Sequence, residues 1–113
     1  MIEKYEFGRI VIDGKTYTDD VRIVEGKVLP KWWRKEGHFL DVPDLKEVFS
    51  RPVKILVVGT GHSGVMKVGE SVREYCREHG IELIELMTGD AVKKYNELSE
   101  KKKGVAGAFH LTC

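Results

Sequence analysis

A short apolar run ending in glycines constrains this chain most. From Val53 to Val58, five of six residues are apolar and four are β-branched, the pattern of a strand buried on both faces. The run passes directly into Gly59-Thr60-Gly61-His62-Ser63-Gly64, and a helical spacing follows. Strand, glycine-rich loop and helix in that order mark where open α/β sheets bind ligands. The remaining segments are read as the frame of that loop.

At 113 residues, a single domain over 1–113 is expected, large enough for a core without metal or disulfide staples. A hydrophobic content of 42% fits a folded protein. The net charge of +1 gives no overall attraction to nucleic acid or to a membrane surface. Glu and Lys dominate the charged third of the chain, glutamine is absent, and Asn96 is the only asparagine. That bias resembles hyperthermophile proteins, which favour ion-pair networks and avoid thermolabile amides. Cys76 and Cys113 form no Cys-x-x-Cys pair, and Met1-Ile-Glu-Lys-Tyr-Glu6 lacks the features of a signal peptide. No apolar run approaches the roughly 18 residues of a membrane helix. A cytoplasmic protein with reduced thiols and no membrane partner is expected, and homo-oligomerisation stays open.

Segments 7–12 and 16–24 flank Asp13-Gly14, a pair suited to the positive φ angles of a tight hairpin turn. Residues 26–40 have no clean period and read as an ordered loop rich in aromatics and bases. Asp41 or Asp44 can cap a short helix with Pro43 in its first turn and Leu45, Val48 and Phe49 on its apolar side. After the glycine loop, Val65, Val68, Val72 and Cys76 recur at helical steps, and Gly80 stops that helix. Residues 81–87 read as a strand. Thr88 can cap the following helix, whose stripe is Val92, Tyr95 and Leu98, and the small-residue run 105–111 closes the chain as a strand. The fold class is therefore α/β. A central mixed sheet of about five or more strands carries helices on both faces, preceded by an N-terminal β-hairpin.

Three chemistries compete for the loop. Gly59, Gly61 and Gly64 fit G-x-G-x-x-G, but the ribose-binding acid expected about 20 residues on is not cleanly placed, Glu82 and Glu85 being nearest. Ser63 is not in a G-x-S-x-G elbow, and hydrolysis would need an acid from Asp41, Asp44 or Asp90 to orient His62. His38, His62, His110 and Cys113 lack the short spacing of a metal site. His110 reads as a core histidine with one hydrogen bond, and Cys113, as the last residue, as a poor anchor. No catalytic residue, metal or cofactor is assigned. Close packing of a strand-to-helix turn explains the glycines equally well. Lys31-Trp-Trp-Arg-Lys35 is the one basic-aromatic cluster, a type enriched at binding hot spots.

Gly14-Lys-Thr-Tyr-Thr-Asp-Asp-Val21, Trp32-Trp-Arg-Lys-Glu-Gly-His38, Val57-Val-Gly-Thr-Gly-His-Ser-Gly-Val-Met66, Thr88-Gly-Asp-Ala-Val-Lys-Lys-Tyr-Asn96 and Ala106-Gly-Ala-Phe-His-Leu-Thr-Cys113 together carry a resemblance. In their order they resemble a small family that includes the adipogenesis-associated domain protein, a mitochondrial respiratory complex I assembly factor and many archaeal members. The resemblance implies a three-layer fold with one strand antiparallel to the others, the C-terminal strand being the candidate. It also implies non-enzymatic assembly or regulation through protein contacts. The N-terminus has no mitochondrial presequence, so the complex I role is not expected to carry over.

The expectation is a soluble, non-enzymatic interaction module. Its cleft would be built from Lys31, Trp33, Arg34, His38, Thr60, Gly61, His62, Ser63, Gly64, Thr88, Tyr95 and Asn96. It would face a protein partner or a small anionic ligand. The rival is a small enzyme or nucleotide- or phosphate-binding protein using the same loop. Trp33→Ala and Gly61→Val are expected to weaken capture while leaving the fold intact.

Overall fold

The computed structural model describes all 113 residues. Its central sheet has the order β5-β4-β10-β7-β9, formed by β4 (Val21–Val24), β5 (Lys27–Leu29), β7 (Ile55–Gly59), β9 (Glu82–Leu86) and β10 (Val105–Phe109). The buried run is the heart of it. Every residue of β7 is buried, flanked in parallel by β9 and β10.

Pleat alternation splits the β7 side chains between two cores. Ile55 and Val57 face α3 (Thr88–Lys101) and a separate antiparallel sheet of β1 (Ile2–Glu6), β2 (Arg9–Ile12) and β3 (Lys15–Tyr17). Leu56 and Val58 face α1 (Lys46–Phe49) and α2 (Glu70–Glu78), with Trp32 and Met66. The layers are those expected, with helices on both faces of a mixed sheet. Val72 and Cys76 anchor α2, and Ala91, Val92 and Tyr95 anchor α3.

Small residues in β10 have a packing cause. A Cβ on Gly107 would sit 2.5 Å from the Phe109 ring and 3.1 Å from that of Tyr95. Those two rings meet edge to face at 5.8 Å, and the glycine makes room for them.

Local turn chemistry was read correctly where it is strongly encoded. Asp13 and Gly14, both at positive φ, join β2 to β3. Asp41 and Asp44 form a reciprocal capping box around the 3₁₀ turn Val42–Leu45, which leads into α1.

Four expectations change. The strand expected over 16–24 is two strands in different sheets, because Thr18-Asp19-Asp20 carries the chain across and Asp20 bonds to the far end of β10. The apparent loop after Gly26 begins with β5, joined to β4 through Glu25 and Gly26 at positive φ, and ends with β6 (Phe39–Leu40). Glutamate is not a usual residue for that conformation. The helix after the glycine loop starts only at Glu70. Met66 bonds back to the loop, and Lys67–Val68 forms β8, a short parallel pair with β6. Finally, β10 runs parallel to β7 and β4 is the antiparallel strand.

Candidate functional site

The parallel strands β10, β7 and β9 end together, with Gly59 level with both Phe109 and Leu86. From β7 the chain crosses by α2 to β9 and returns by α3 to β10 on the other side. This is the switch point where a doubly wound sheet opens a ligand crevice. Here the chain fills that crevice with its own residues.

The loop amides show how. Thr60 N–H donates to Leu86 O at 2.9 Å, and Gly61 N–H to Thr88 Oγ1 at 2.9 Å. His62 N–H donates to Thr112 O at 3.3 Å, Gly64 N–H to Gly61 O at 3.2 Å, Val65 N–H to Cys113 O at 3.1 Å and Met66 N–H to Thr60 O at 2.9 Å. Ser63 alone keeps a free amide. The helix that follows the loop begins only at Glu70, so α2 does not open at the glycines, and the first amide of α3, Thr88 N–H, itself donates to Gly61 O at 3.0 Å. The amides that would cradle a phosphate are spent internally.

The glycines serve close approach. A Cβ on Gly59 would lie 2.8 Å from Thr88 Oγ1. On Gly61, at φ +115°, a Cβ would lie 2.7 Å from Thr112 O and 2.8 Å from the Cys113 carbonyl carbon. Gly61→Val therefore strikes backbone, and the expectation that it spares the fold is corrected. Thr88 is also reassigned. It does not cap α3; its buried hydroxyl accepts from Gly61 N–H and donates to His110 O at 2.6 Å, tying the ends of β7 and β10 to the helix start.

The expected site residues separate into distinct places. His62 and Asn96 line a cleft of about 640 Å³ between β1 and the first turns of α3, with Tyr5 and Met87. Asn96 clamps one end of it, accepting from Ile2 N–H at 2.9 Å and donating to Ile2 O at 2.7 Å. Thr60, Ser63 and Gly64 line a second recess of about 660 Å³, and Lys31 and Trp33 a third of about 510 Å³ with Asp19 and Thr112. These are neighbours around one end of the sheet, not one cleft. Tyr95 is core, its phenol pushed up to about 12 by burial and then by Asp13. Glu85, the acid nearest to a ribose position, is held bidentately by Arg73 at 2.8 Å twice.

His62 turns toward aromatics. Its ring meets Phe7 edge-on at 5.5 Å, and Tyr5 Oη lies 3.4 Å from its Nδ1 while donating to Leu111 O at 2.8 Å. Phe7 and Met87 beside it are exposed, as is Val65 three residues along the chain. Phe7, Tyr5 and Met87 were absent from the expected site. An aromatic beside a turn glycine, Phe7-Gly8, was the available signal.

Arg34 leaves the surface altogether. It is buried, its guanidinium 4.5 Å from the Trp32 ring, its Nη2 2.9 Å from Asp20 Oδ2 and 2.8 Å from Gly37 O. Asp20 also accepts from Leu111 N–H at 2.7 Å and lies 2.7 Å from His110 Nδ1. Burial pushes the Asp20 carboxyl up, but the bonds from His110 and Leu111, with the charges of His110 and Arg34, outweigh it and hold it below its ordinary value. His38 sits beside this corner, its ring 5.7 Å from that of His110. The expected core histidine is observed. Asp20 was missed, although an acid directly before the apolar strand that starts at Val21 was a usable signal.

Fold and site define a small three-layer α/β domain whose strand-end crevice is closed by its own chain. Residues 2–110 match a family described as a protein of unknown function (DUF498/DUF598), and the chain belongs to that family. The resemblance carried by the sequence motifs is borne out. Among solved structures, the chain is similar to a conserved hypothetical protein, PH1505, from Pyrococcus horikoshii OT3. Identity is 28%, over 100% of this chain and 99% of that one, with a TM-score of 0.84. It is similar to MT938 at 27% identity, over 100% and 98%, with a TM-score of 0.80. It is also similar to the Rpa2829 protein from Rhodopseudomonas palustris at 25% identity, over 97% and 82%, with a TM-score of 0.79.

Proposed function

We propose that this protein is a non-enzymatic interaction module of the cytoplasm that engages a protein partner at the glycine-loop end of its sheet. One observation carries the reading. The loop has spent its amides inside the chain, yet it presents His62 within a rim of exposed Phe7, Val65 and Met87. Such a corner offers little to a phosphate and much to an apolar side chain. Aromatic residues and methionine are the types enriched at interface cores, and methionine adapts its shape to what it meets. The cleft between β1 and α3 extends this rim and gives a partner segment a concave seat.

The test compares the parent chain with a Phe7→Ala, Met87→Ala double variant. Both side chains are exposed, so thermal stability stays within about 1 kcal/mol of the parent. A partner captured saturably by the parent and lost by the double variant supports the reading. Capture that is identical in both sinks it. The rival is separated by thermal shifts with NAD, nucleotides, sugar phosphates and acyl-CoA. A reproducible stabilisation removed by His62→Ala would favour a small-ligand site instead.

A further inference from the structure

On the other side of the tail that closes the loop, the fold gathers three residues that the sequence scatters. His38, His110 and Cys113 offer ligand atoms that all lie within 4.8 Å of one another. His38 is exposed on the segment before β6, His110 is buried just after β10, and Cys113 is half-buried three residues later.

The state of His110 singles out this cluster. Two groups meet its Nδ1, Asp20 Oδ2 at 2.7 Å, which only accepts, and Arg34 Nη2 at 3.1 Å, which only donates; the shorter contact assigns the proton to Nδ1. In the neutral imidazole, the form that binds a metal, the lone pair is then on Nε2, which is buried and has no hydrogen-bond partner. Leaving such an atom unpaired in the interior is destabilising unless a ligand takes it up. A histidine held by a carboxylate through one nitrogen, with the other free, is how proteins orient an imidazole toward a metal ion. Cys113 is not a loose end: its carbonyl accepts from Val65 N–H at 3.1 Å, and the preceding Thr112 carbonyl from His62 N–H at 3.3 Å. The thiol is presented from a pinned backbone.

We propose that one imidazole nitrogen of His38, Nε2 of His110 and the thiolate of Cys113 form a binding site for a divalent ion of the zinc class. Two imidazoles and one thiolate suit zinc and its borderline neighbours, whereas magnesium and calcium require oxygen donors. Tetrahedral zinc holds its donors about 3.5 Å apart, so the cluster closes by up to about an ångström on binding. His38, the exposed member, is the ligand that moves. Binding releases the Cys113 thiol proton to solvent and leaves the His110 Nδ1 proton on its bond to Asp20. Arg34 is already paired with Asp20, its Nη2 2.9 Å from Oδ2, and the Cys113 thiolate offsets one of the two charges that the divalent ion adds. Three protein ligands leave a fourth position for water or for a donor from another molecule.

The test titrates the chelator-stripped 113-residue chain with Co²⁺ and follows absorption. One equivalent should bind with a thiolate-to-cobalt charge-transfer band, and Zn²⁺ should discharge it. Cys113→Ser should abolish the band, and His38→Ala should weaken binding by about tenfold or more. Neither side chain is fully buried, so both variants should keep the circular dichroism of the parent. A second measurement uses the parent alone. Cys113 reacts with a disulfide reagent while buried Cys76 stays silent, and saturating Zn²⁺ should slow that reaction by about tenfold or more. No charge-transfer band in the parent, equal affinity in the parent and both variants, or unchanged labelling under Zn²⁺ would each overturn the site.

Discussion

The glycine loop and the Asp20–Arg34–His110 corner lie on opposite sides of the tail Leu111–Cys113, and they are built in opposite ways. The loop looks like a ligand site in sequence and uses its special features for packing. Its glycines admit Thr88, Thr112 and Cys113 at distances a Cβ would forbid, and all but one of its amides are bonded within the chain. The corner carries no motif, yet it holds a buried guanidinium, a half-buried carboxylate and an imidazole with one free nitrogen. Glycine spacing reports that something approaches the backbone closely; it does not report what. Unspent polar atoms are the better sign of chemistry, and two of them, Arg34 Nη1 and His110 Nε2, are in the corner.

The sharpest way to break this contrast is Gly61→Val. If the glycine serves packing, a side chain at φ +115° meets Thr112 O at 2.7 Å and the backbone must give. Strain and overpacking together should cost about 3 kcal/mol or more. For a chain of this size that lowers the melting temperature by about 10 °C or more, read by calorimetry. A variant that melts with the parent would show the tail to be loosely seated and would return the loop to the ligand-site reading.

Arg34→Ala tests the corner. It removes one partner of a half-buried carboxylate but leaves the bonds from His110 and Leu111, so the loss should sit at or below the lower end for broken buried pairs, about 2–3 kcal/mol in urea unfolding. The corner should also be acid-sensitive in a way the loop is not. The Asp20 carboxyl is held below its unfolded value, so its stabilisation is complete above the ordinary carboxylate range near pH 4 and is lost as pH falls through the lower folded value. Asp20→Asn, measured with chelator present, should be less stable than the parent at pH 7 and should lose less of its stability on going to pH 3. A parent and variant with parallel pH profiles would show that Asp20 is not ionised in its buried pairing.

What the sequence made legible follows the same division. Contacts within a few residues were readable: Asp13-Gly14 as a turn, Asp41 and Asp44 around Pro43 as a cap, Gly80 as a helix stop at positive φ. The β7 run was readable because a central strand must be apolar on both faces. Long-range pairing was not. Asp20 and His110 are 90 residues apart, and no local pattern says that a polar run after β3 will meet the end of β10. Periodicity also misled: Val65 and Val68 keep helical spacing with Val72, but Gly64 at φ +72° and the pairing of Val68 with Leu40 hold them extended. Val68 reaches the core of Val72 and Cys76 under either reading, whereas Val65 is left exposed.

The smallest expected effect on stability is also the one that decides how far the interaction surface reaches. Trp32 and Trp33 are adjacent, yet Trp32 is 5% exposed, its Nε1 donating to Asp44 O at 2.8 Å, while Trp33 is 78% exposed. Trp33→Ala removes a side chain that the fold barely uses, so stability should change by no more than about 0.5 kcal/mol. Its recess with Lys31, Asp19 and Thr112 lies on the corner side of the tail, whereas Phe7 and Met87 lie on the loop side. A large exposed tryptophan at an interface commonly contributes 2 kcal/mol or more, roughly a thirtyfold change in affinity. If Trp33→Ala weakens capture on that scale, the partner spans both regions and covers the tail between them. If capture is unchanged while Phe7→Ala, Met87→Ala abolishes it, the partner stops at the loop rim and the histidine corner stays open to solvent. Affinity measured for the two variants against the same captured partner distinguishes these outcomes.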